Sequence, residues 1–179
     1  YANGRSVLNM FCYTGGFSFY AMRGGAKLVH SVDSSAKAID LTNKNVELNF
    51  PGDPRHEAFA EDAFKYLDRM GDQYDLIILD PPAFTKSRSS VKNAVKGYRE
   101  INLRAMKLLK DGGFLATCSC SHFMTYELFT QTIGQAARNV HKRLRQVEYR
   151  HQAPDHPILW AAEESYYLKF YIFQVMNQP

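Results

Sequence analysis

The chain has 179 residues, of which 45% are hydrophobic and 22% are charged, and its formal net charge is +4. It contains no low-complexity tract, no internal repeat and no apolar run of membrane-spanning length, so a soluble domain with a substantial core is expected rather than a fibrous, disordered or membrane-spanning protein. Three cysteines are too few for a disulfide framework, and we therefore expect a reducing, cytoplasmic setting. The chain starts at Tyr1 and lacks a signal-peptide pattern, which suggests a piece of a longer protein.

An apolar run that ends on two glycines opens the chain. Residues 7–11 are almost all apolar, as expected for a central parallel strand that is covered on both faces. Gly15 and Gly16 follow, and a helical pattern starts directly after them. Glycines permit backbone angles that other residues avoid and let a ligand approach the main chain. Taken alone, this stretch is either a cofactor-binding turn or a tight strand-to-helix turn without a ligand.

Each of the next three predicted strands is followed by an aspartate. Residues 27–32 lead to Asp33, residues 56–60 lead to Asp62, and residues 74–79 lead to Asp80. Asp33 comes 18 residues after Gly15, near the spacing of about 20 at which nucleotide-binding folds place a carboxylate for the ribose hydroxyls. The alternative role for Asp33 is a cap for the following helix, a role that Ser34 or Ser35 could also fill.

The second half of the chain adds a rigid tip, a cysteine loop and two consecutive strands. Asp80 is followed by Pro81 and Pro82, which restrict the backbone and leave carbonyl groups free. A helix over about 91–109 is expected to stop at an Asp-Gly-Gly turn at 111–113. A fifth strand follows at 114–118, and Cys120 lies in the loop after it. Thr125 is placed to cap the next helix. The strands at about 142–151 and 165–176 have no helix between them, so they should pair antiparallel at one edge.

The alternation of strands and helices predicts an α/β fold. We expect a doubly wound, mostly parallel, seven-stranded sheet with an antiparallel last strand. The glycines, the three aspartates and Cys120 all follow strands, so they should meet at one sheet edge, where such folds bind ligands. The glycine turn has neither a third glycine nor a basic residue for a pyrophosphate. A cationic adenosine cofactor without phosphate, S-adenosylmethionine, therefore fits better than a dinucleotide.

Six runs spread over nearly the whole chain carry a family resemblance, and they lie at residues 8–17, 31–33, 45–49, 80–84, 119–121 and 155–157. In combination, they resemble the class I rRNA cytosine-C5 methyltransferases of the large-subunit methyltransferase I type. The resemblance implies a Rossmann-like class I methyltransferase domain over residues 1–179, preceded by a PUA domain, a linking β domain and a segment that completes the cofactor pocket. It also implies S-adenosylmethionine as cofactor and 23S rRNA, or a large-subunit assembly intermediate, as partner.

The implied reaction assigns a role to two side chains. A cysteine thiolate adds to C6 of the cytosine, which makes C5 nucleophilic enough to attack the sulfonium methyl group. Asp80 would hydrogen-bond N3 and the exocyclic amine and so offset the charge that develops during the addition. The base that removes the C5 proton is left open, with a water molecule or His122 as alternatives.

Two cysteines fit the Ser/Thr-Cys-Ser pattern of the family. Counting from residues 112–113, the position of the nucleophile falls on Cys120, and we expect Cys118 to lie behind it as a small buried residue. Cys12 is expected to be a packing residue. Cys118, Cys120 and His122 alternate along the chain, but alternate positions on one strand rarely close a tetrahedral site, so no metal is predicted.

The candidate site has three parts. The catalytic residues are Cys120 and Asp80. The residues predicted to bind the cofactor are Phe11, Tyr13, Thr14, Gly15, Gly16, Asp33, Ser34, Asp62, Ala63 and Asp80. Those predicted to bind the substrate are Pro81, Pro82, Phe84 and Lys86.

Two other functions stay open. An exocyclic-amine methyltransferase would use an Asp-Pro-Pro-aromatic tip, but here Ala83 follows the prolines and the aromatic residue comes one position later. A non-catalytic RNA-binding module is the second alternative. Residues 86–110 and 138–150 are rich in Lys and Arg and could face RNA phosphates, although solvated faces are the commoner meaning of such runs. The oligomeric state is also open, with a homodimer as one alternative, and no membrane partner is expected.

Overall fold

A computed structural model describes residues 1–71, 74–85 and 87–178. The described residues form one seven-stranded sheet in the order β3-β2-β1-β4-β5-β7-β6. Its strands are β1 (Ser6–Met10), β2 (Leu28–Asp33), β3 (His56–Ala60), β4 (Tyr74–Leu79), β5 (Leu109–Ser119), β6 (Lys142–Arg150) and β7 (Lys169–Asn177). The helices are α1 (Gly16–Arg23), α2 (Ala36–Asn49), α3 (Ala63–Arg69), α4 (Val91–Leu108) and α5 (Tyr126–Asn139).

The pairing of the strands confirms the predicted fold class. Strands β1 to β5 pair in parallel, whereas β7 runs antiparallel to both β5 and β6. The last two strands do pair with each other, as expected, and β7 inserts between β5 and β6 so that β6 forms the edge. Among the described residues, no helix combines the length and the apolar character that a bilayer crossing requires.

The core lies on both faces of the sheet. Val7 and Leu8 are neighbours on β1, both fully buried, and they point to opposite faces. Val7 packs with Ala21 of α1 and Val46 of α2, while Leu8 belongs to the larger cluster that includes residues of α3, α4 and α5. The near-continuous apolar run that predicted β1 therefore reflects burial from two sides.

The start of β5 differs from the sequence-based prediction. The strand begins at Leu109, so the Asp-Gly-Gly stretch at 111–113 lies within it instead of forming a separate turn. Tyr74 pairs with Leu109 but Leu76 pairs with Phe114, so residues 110–113 form an irregular bulge. A Cβ atom at Gly113 would lie 2.9 Å from the Lys110 carbonyl oxygen and 3.1 Å from that of Asp75. Glycine is required there because two backbone segments approach each other closely.

A buried hydrogen-bonded cluster joins β2, β4 and α3. The Tyr74 hydroxyl lies 2.7 Å from His30 Nδ1 and 2.9 Å from the Tyr66 hydroxyl, and both tyrosines are fully buried. Burial therefore raises the pKa of the Tyr74 hydroxyl. The partners satisfy polar atoms that water cannot reach, so the cluster contributes to stability only while it is complete.

We expect Tyr74→Phe to lower the free energy of unfolding by about 1–3 kcal/mol, because it removes two buried hydrogen bonds and leaves His30 Nδ1 and the Tyr66 hydroxyl only their mutual contact at 3.3 Å. Urea denaturation of the protein measures this difference. Tyr20→Phe is the matched control, since Tyr20 is 75% exposed; its effect should stay within about 0.5 kcal/mol. Equal effects of the two substitutions would contradict the role of the buried cluster.

His30 on β2 and His56 on β3 have lowered pKa values, from which we expect the folded protein to lose stability in acid. Burial lowers the pKa of both His30 and His56, against the field of Glu57, which raises them. The unfolded chain binds these protons near an ordinary pKa of about 6.5, whereas the folded chain binds them only at lower pH. The free energy of unfolding should therefore be highest above about pH 6.5 and fall as the pH drops below it.

Urea midpoints between pH 7.5 and pH 5.5 test this dependence. His56→Gln should flatten the slope, and His156→Gln, at a side chain that is 62% exposed, should leave it unchanged. The same slope in wild type and in His30→Gln/His56→Gln would show that other groups cause it.

Candidate active site

The five parallel strands bring most predicted site residues to one edge of the sheet. In the register, Met10 lies beside Val32 and Leu79, and Leu79 lies beside Thr117. The segments that follow these strands are therefore neighbours, as the sequence predicted. They carry Phe11, Tyr13, Thr14, Gly15 and Gly16 after β1, Asp33 and Ser34 at β2, Asp62 and Ala63 after β3, Asp80, Pro81, Pro82 and Phe84 after β4, and Cys120 after β5. Lys86 lies outside the described residues.

The turn after β1 has an unusual backbone. Phe11 and Tyr13 have positive φ angles of 58° and 49°, and Gly15 has a φ of 90°. Residues with side chains adopt this left-handed conformation at an energetic cost, and such strain is concentrated at functional sites. Helix α2 supports the turn, since Thr42 Oγ1 donates to the Tyr13 carbonyl at 2.8 Å and Asn45 Nδ2 donates to the Thr14 carbonyl at 3.2 Å.

The two glycines of the turn differ in their surroundings. A Cβ atom at Gly15 would lie 2.8 Å from Thr42 Cγ2 and 2.9 Å from the Phe19 ring, so packing and backbone angle both require glycine. A Cβ atom at Gly16 would meet nothing within 4 Å. Within the described part of the chain no contact explains Gly16, and the open space beside it can admit a ligand to the first turn of α1.

Two carboxylates near this turn have different local roles. Asp33 Oδ2 accepts the Tyr13 N–H at 3.0 Å and Oδ1 accepts the Ser35 N–H at 2.9 Å, so Asp33 joins the turn to the start of α2. Ser35, rather than Asp33 or Ser34, is the N-cap of α2. Asp62, for which no capping role was predicted, is the N-cap of α3 and accepts two backbone N–H groups. Each carboxylate oxygen can accept more than one hydrogen bond, so Asp33 can still hold a ribose diol.

These observations fit S-adenosylmethionine. The turn offers an open backbone at Gly16 and a carboxylate at Asp33, and residues 11–17 include no basic side chain for a phosphate. Cys12 is buried in the same turn, and burial raises its pKa to about 11, as expected of a packing residue.

The tip after β4, residues 80–84, makes contacts with the rest of the domain at its first and its last residue. Asp80 is exposed and Pro81 is buried. The Phe84 ring packs 4.7 Å from that of Tyr98, between centroids, and a Cβ atom at Gly97 would lie 3.2 Å from it. Phe84 therefore packs against α4, and its ring also meets that of Phe11 edge-on at 6.4 Å between centroids. The substrate contact predicted for Phe84 stays a prediction. Two residues of the tip contact the cysteines: Asp80 accepts a hydrogen bond from the Cys118 thiol, and the backbone of Ala83 hydrogen-bonds Cys120.

The cysteines differ in exposure. Cys118 is 2% exposed, and its thiol donates a hydrogen bond to Asp80 Oδ1 at 3.0 Å. Burial and the Asp80 carboxylate raise its pKa well above the ordinary value. Cys118 is thus buried, as expected, but it also binds the predicted catalytic carboxylate. Cys120 is half-buried, and burial and Asp80 raise its pKa as well, while Lys169 lowers it.

Lys169 is the site residue that sequence reasoning missed. It is the first residue of β7 and is 2% exposed, and its Nζ donates to the Ser121 and Tyr167 carbonyls at 2.6 Å each. Burial lowers its pKa to about 8. The sequence does carry a signal, because Lys169 is the single charged residue within the otherwise apolar and aromatic run at 166–173.

A cleft of about 1080 Å³ opens beside Lys169. His122 and Tyr126 line one wall, and the loop before β7 contributes Trp160, which is fully exposed. In the part of the chain that the structure describes, no group of three or more His, Cys, Asp or Glu side chains could hold a metal ion.

The chain matches one family model and several curated proteins. A model described as S-adenosylmethionine-dependent methyltransferase matches residues 1–170. The ribosomal RNA large subunit methyltransferase I of Aeromonas hydrophila is 43% identical over 172 residues, which are 94% of this chain and 43% of that protein. The protein of the same name from Erwinia tasmaniensis is 41% identical over 179 residues, 98% of this chain and 45% of that protein. The chain therefore spans less than half the length of these relatives.

Solved structures agree with this result. SMU.776, crystallised with SAH, superposes with a TM-score of 0.84 at 27% identity, covering 97% of this chain and 46% of that one. Trm5b from Pyrococcus abyssi, with a TM-score of 0.69 and 20% identity over 97% of this chain and 45% of that one, shares the fold. The family resemblance and the cofactor inferred from the motifs are thus both confirmed. The chain belongs to the S-adenosylmethionine-dependent methyltransferase family.

Proposed function

We propose that this chain is the catalytic domain of a longer large-subunit rRNA methyltransferase and that it methylates C5 of a cytidine in 23S rRNA. The observation that carries the proposal is the half-buried thiol of Cys120 beside Asp80, on the same sheet edge as the glycine turn. The names of the two curated relatives support the rRNA substrate, and their greater length supports additional domains, for which we propose the N-terminal PUA and linking β domains.

In this proposal the cofactor site comprises the turn after β1 together with Asp33, Ser34, Asp62 and Ala63. Bound S-adenosylmethionine supplies an electrophilic methyl group on a positively charged sulfur. Gly15 shapes the turn, Gly16 leaves room for the ligand, and Asp33 holds the ribose hydroxyls. Phe11 and Tyr13 contribute backbone that is already held in the required conformation, so little ordering is needed on binding.

In this proposal, Cys120 and Asp80 act on the cytosine ring. The Cys120 thiolate forms a bond to C6 while the C5–C6 π bond breaks. Its electron pair forms a double bond between C4 and C5, and the displaced N3–C4 pair moves to N3, which leaves an enamine in which C5 is nucleophilic. C5 would then take the methyl carbon, with the sulfur of the cofactor as leaving group that keeps the electron pair. A base removes the proton from C5, the C5–H electron pair re-forms the C5–C6 double bond, and Cys120 leaves C6 as a thiolate. Because Cys118 occupies Asp80 Oδ1, we assign Oδ2 to the cytosine amine, and the carbonyls of Pro81 and Pro82 fix the base.

The edge strand supplies a face for RNA phosphates. Arg143, Arg145 and Arg150 are exposed on β6. Charged residues also protect an edge strand from pairing with another chain, so protection of the edge is an alternative role for these arginines. A contribution to RNA affinity would appear as a salt-dependent loss on substitution.

A glycine substitution separates the cofactor role of the turn from its structural role. We expect Gly16→Ala to fold normally, since its Cβ atom meets nothing within 4 Å, and yet to weaken S-adenosylmethionine binding about tenfold or more by filling the space of the ligand. Calorimetric titration measures the affinity. Gly134→Ala in α5 is the matched control, because it also adds one methyl group to a helix at ordinary contact distance. Unchanged affinity in Gly16→Ala would contradict the proposed cofactor position.

Cysteine variants test the nucleophile. Cys120→Ala should reduce methyl transfer to unmodified 23S rRNA to less than about a thousandth of the wild-type rate, because the covalent step is lost. Cys118→Ala should still form product. Mass analysis of digested nucleosides identifies 5-methylcytidine, and a covalent adduct with RNA containing 5-fluorocytidine should form only when Cys120 is present. A methylated purine would instead support the exocyclic-amine alternative. Cofactor binding without any product would support the binding module.

A further inference from the structure

Lys169 is a buried cation without a carboxylate partner. Among residues 1–71, 74–85 and 87–178, no Asp or Glu oxygen lies within ion-pair distance of its Nζ. Two backbone carbonyls, those of Ser121 and Tyr167, accept its hydrogen bonds. Burying a charge without a counter-ion is costly, and an apolar side chain would be cheaper at the start of this strand. The position therefore calls for an explanation beyond packing.

The contacts of Lys169 lie on both sides of Cys120. In the β5–β7 register, Lys169 pairs with Ser119, and its ammonium group binds the carbonyl of Ser121. Ser119 is held in addition by a hydrogen bond of 3.0 Å from its hydroxyl to that of Tyr98. Lys169 therefore holds the backbone on each side of Cys120: its main chain pairs with Ser119 and its side chain donates to the Ser121 carbonyl.

Charged and titratable groups from four elements surround the Cys120 thiol. Asp80, which follows β4, raises its pKa, and Lys169 on β7 lowers it. Cys118 on β5 and Tyr98 on α4 are electrostatically linked to the same thiol. In return, the two thiols raise the pKa of Lys169, which burial lowers to about 8. Lys169 is therefore still mostly protonated near neutral pH and opposes the negative field of Asp80.

We propose that Lys169 is a positioning residue for Cys120, one that holds the backbone at Ser121 and places a positive charge beside the thiol to stabilise the thiolate. The proposal rests on the proposed function for its catalytic meaning, since the thiolate matters only if Cys120 attacks the base. The effect of the Lys169 ammonium group on the Cys120 thiol can be measured without substrate.

The test is the pH dependence of Cys120 alkylation by iodoacetamide in the protein that carries this chain. Only the thiolate reacts, so the midpoint of the rate against pH reports the thiol pKa, and fragment mass spectrometry separates Cys120 from Cys118. We expect Lys169→Met to move the midpoint to higher pH, and a shift of one unit would slow alkylation about tenfold below the midpoint. Lys107→Met, at an exposed residue in the last turn of α4, is the matched control and should leave the midpoint unchanged.

Two further variants separate charge from structure. Lys169→Gln keeps a hydrogen-bond donor for Ser121 but removes the charge, so it should shift the midpoint even where Lys169→Met fails to fold. Lys169→Arg keeps the charge and should restore most of the wild-type midpoint. A wild-type midpoint in folded Lys169→Gln or Lys169→Met, with only a lower melting temperature, would overturn the proposal and leave Lys169 a structural residue.

Methyl-transfer kinetics connect the proposal to function. With an active protein, Lys169→Gln should lower kcat while the KM values for S-adenosylmethionine and RNA stay near those of the wild type. A shifted alkylation midpoint in a protein that makes no 5-methylcytidine would uphold the role of Lys169 and reject the proposed reaction. An unshifted midpoint in a protein that does make 5-methylcytidine would reject the role of Lys169 alone.

Discussion

The parallel pairing of β4 with β1 on one side and β5 on the other is the constraint on which the site depends. It places the end of β1, with its glycine turn, beside the end of β4, with Asp80, and next to the loop that carries Cys120. The proposed function depends on this proximity, since it requires a cofactor at the turn and the Cys120 thiol to act on one substrate. The strand order changes direction at β1, the point where open α/β sheets leave a crevice for ligands.

Opposed electrostatic effects characterise the cysteine end of this crevice. Asp80 binds the Cys118 thiol and disfavours a thiolate at Cys120, whereas the buried ammonium group of Lys169 favours one. Burial and Asp80 raise the pKa of the Cys120 thiol, and Lys169 acts against that shift.

Local signals account for the parts of the fold that were predicted correctly. The apolar run of β1, the capping residue Thr125 and the strand alternation each depend on neighbours in the sequence, and each was found where expected. The Asp-Gly-Gly stretch at 111–113 was wrongly predicted as a turn before the strand. It forms a bulge inside β5 because Gly113 packs against the backbone of Asp75, a contact with a distant segment that no local pattern reveals.

The sequence by itself determined the fold class, the cofactor and the set of strand ends that form the site, because periodicity and motif spacing are properties of contiguous residues. Only the tertiary structure distinguished Gly15 from Gly16 and joined Cys118 to Asp80. It alone brought Lys169 next to Cys120, since β7 runs antiparallel to β5 and its first residue reaches the end of that strand. The pairing of strands that are about fifty residues apart decides that contact, and neither strand encodes it alone.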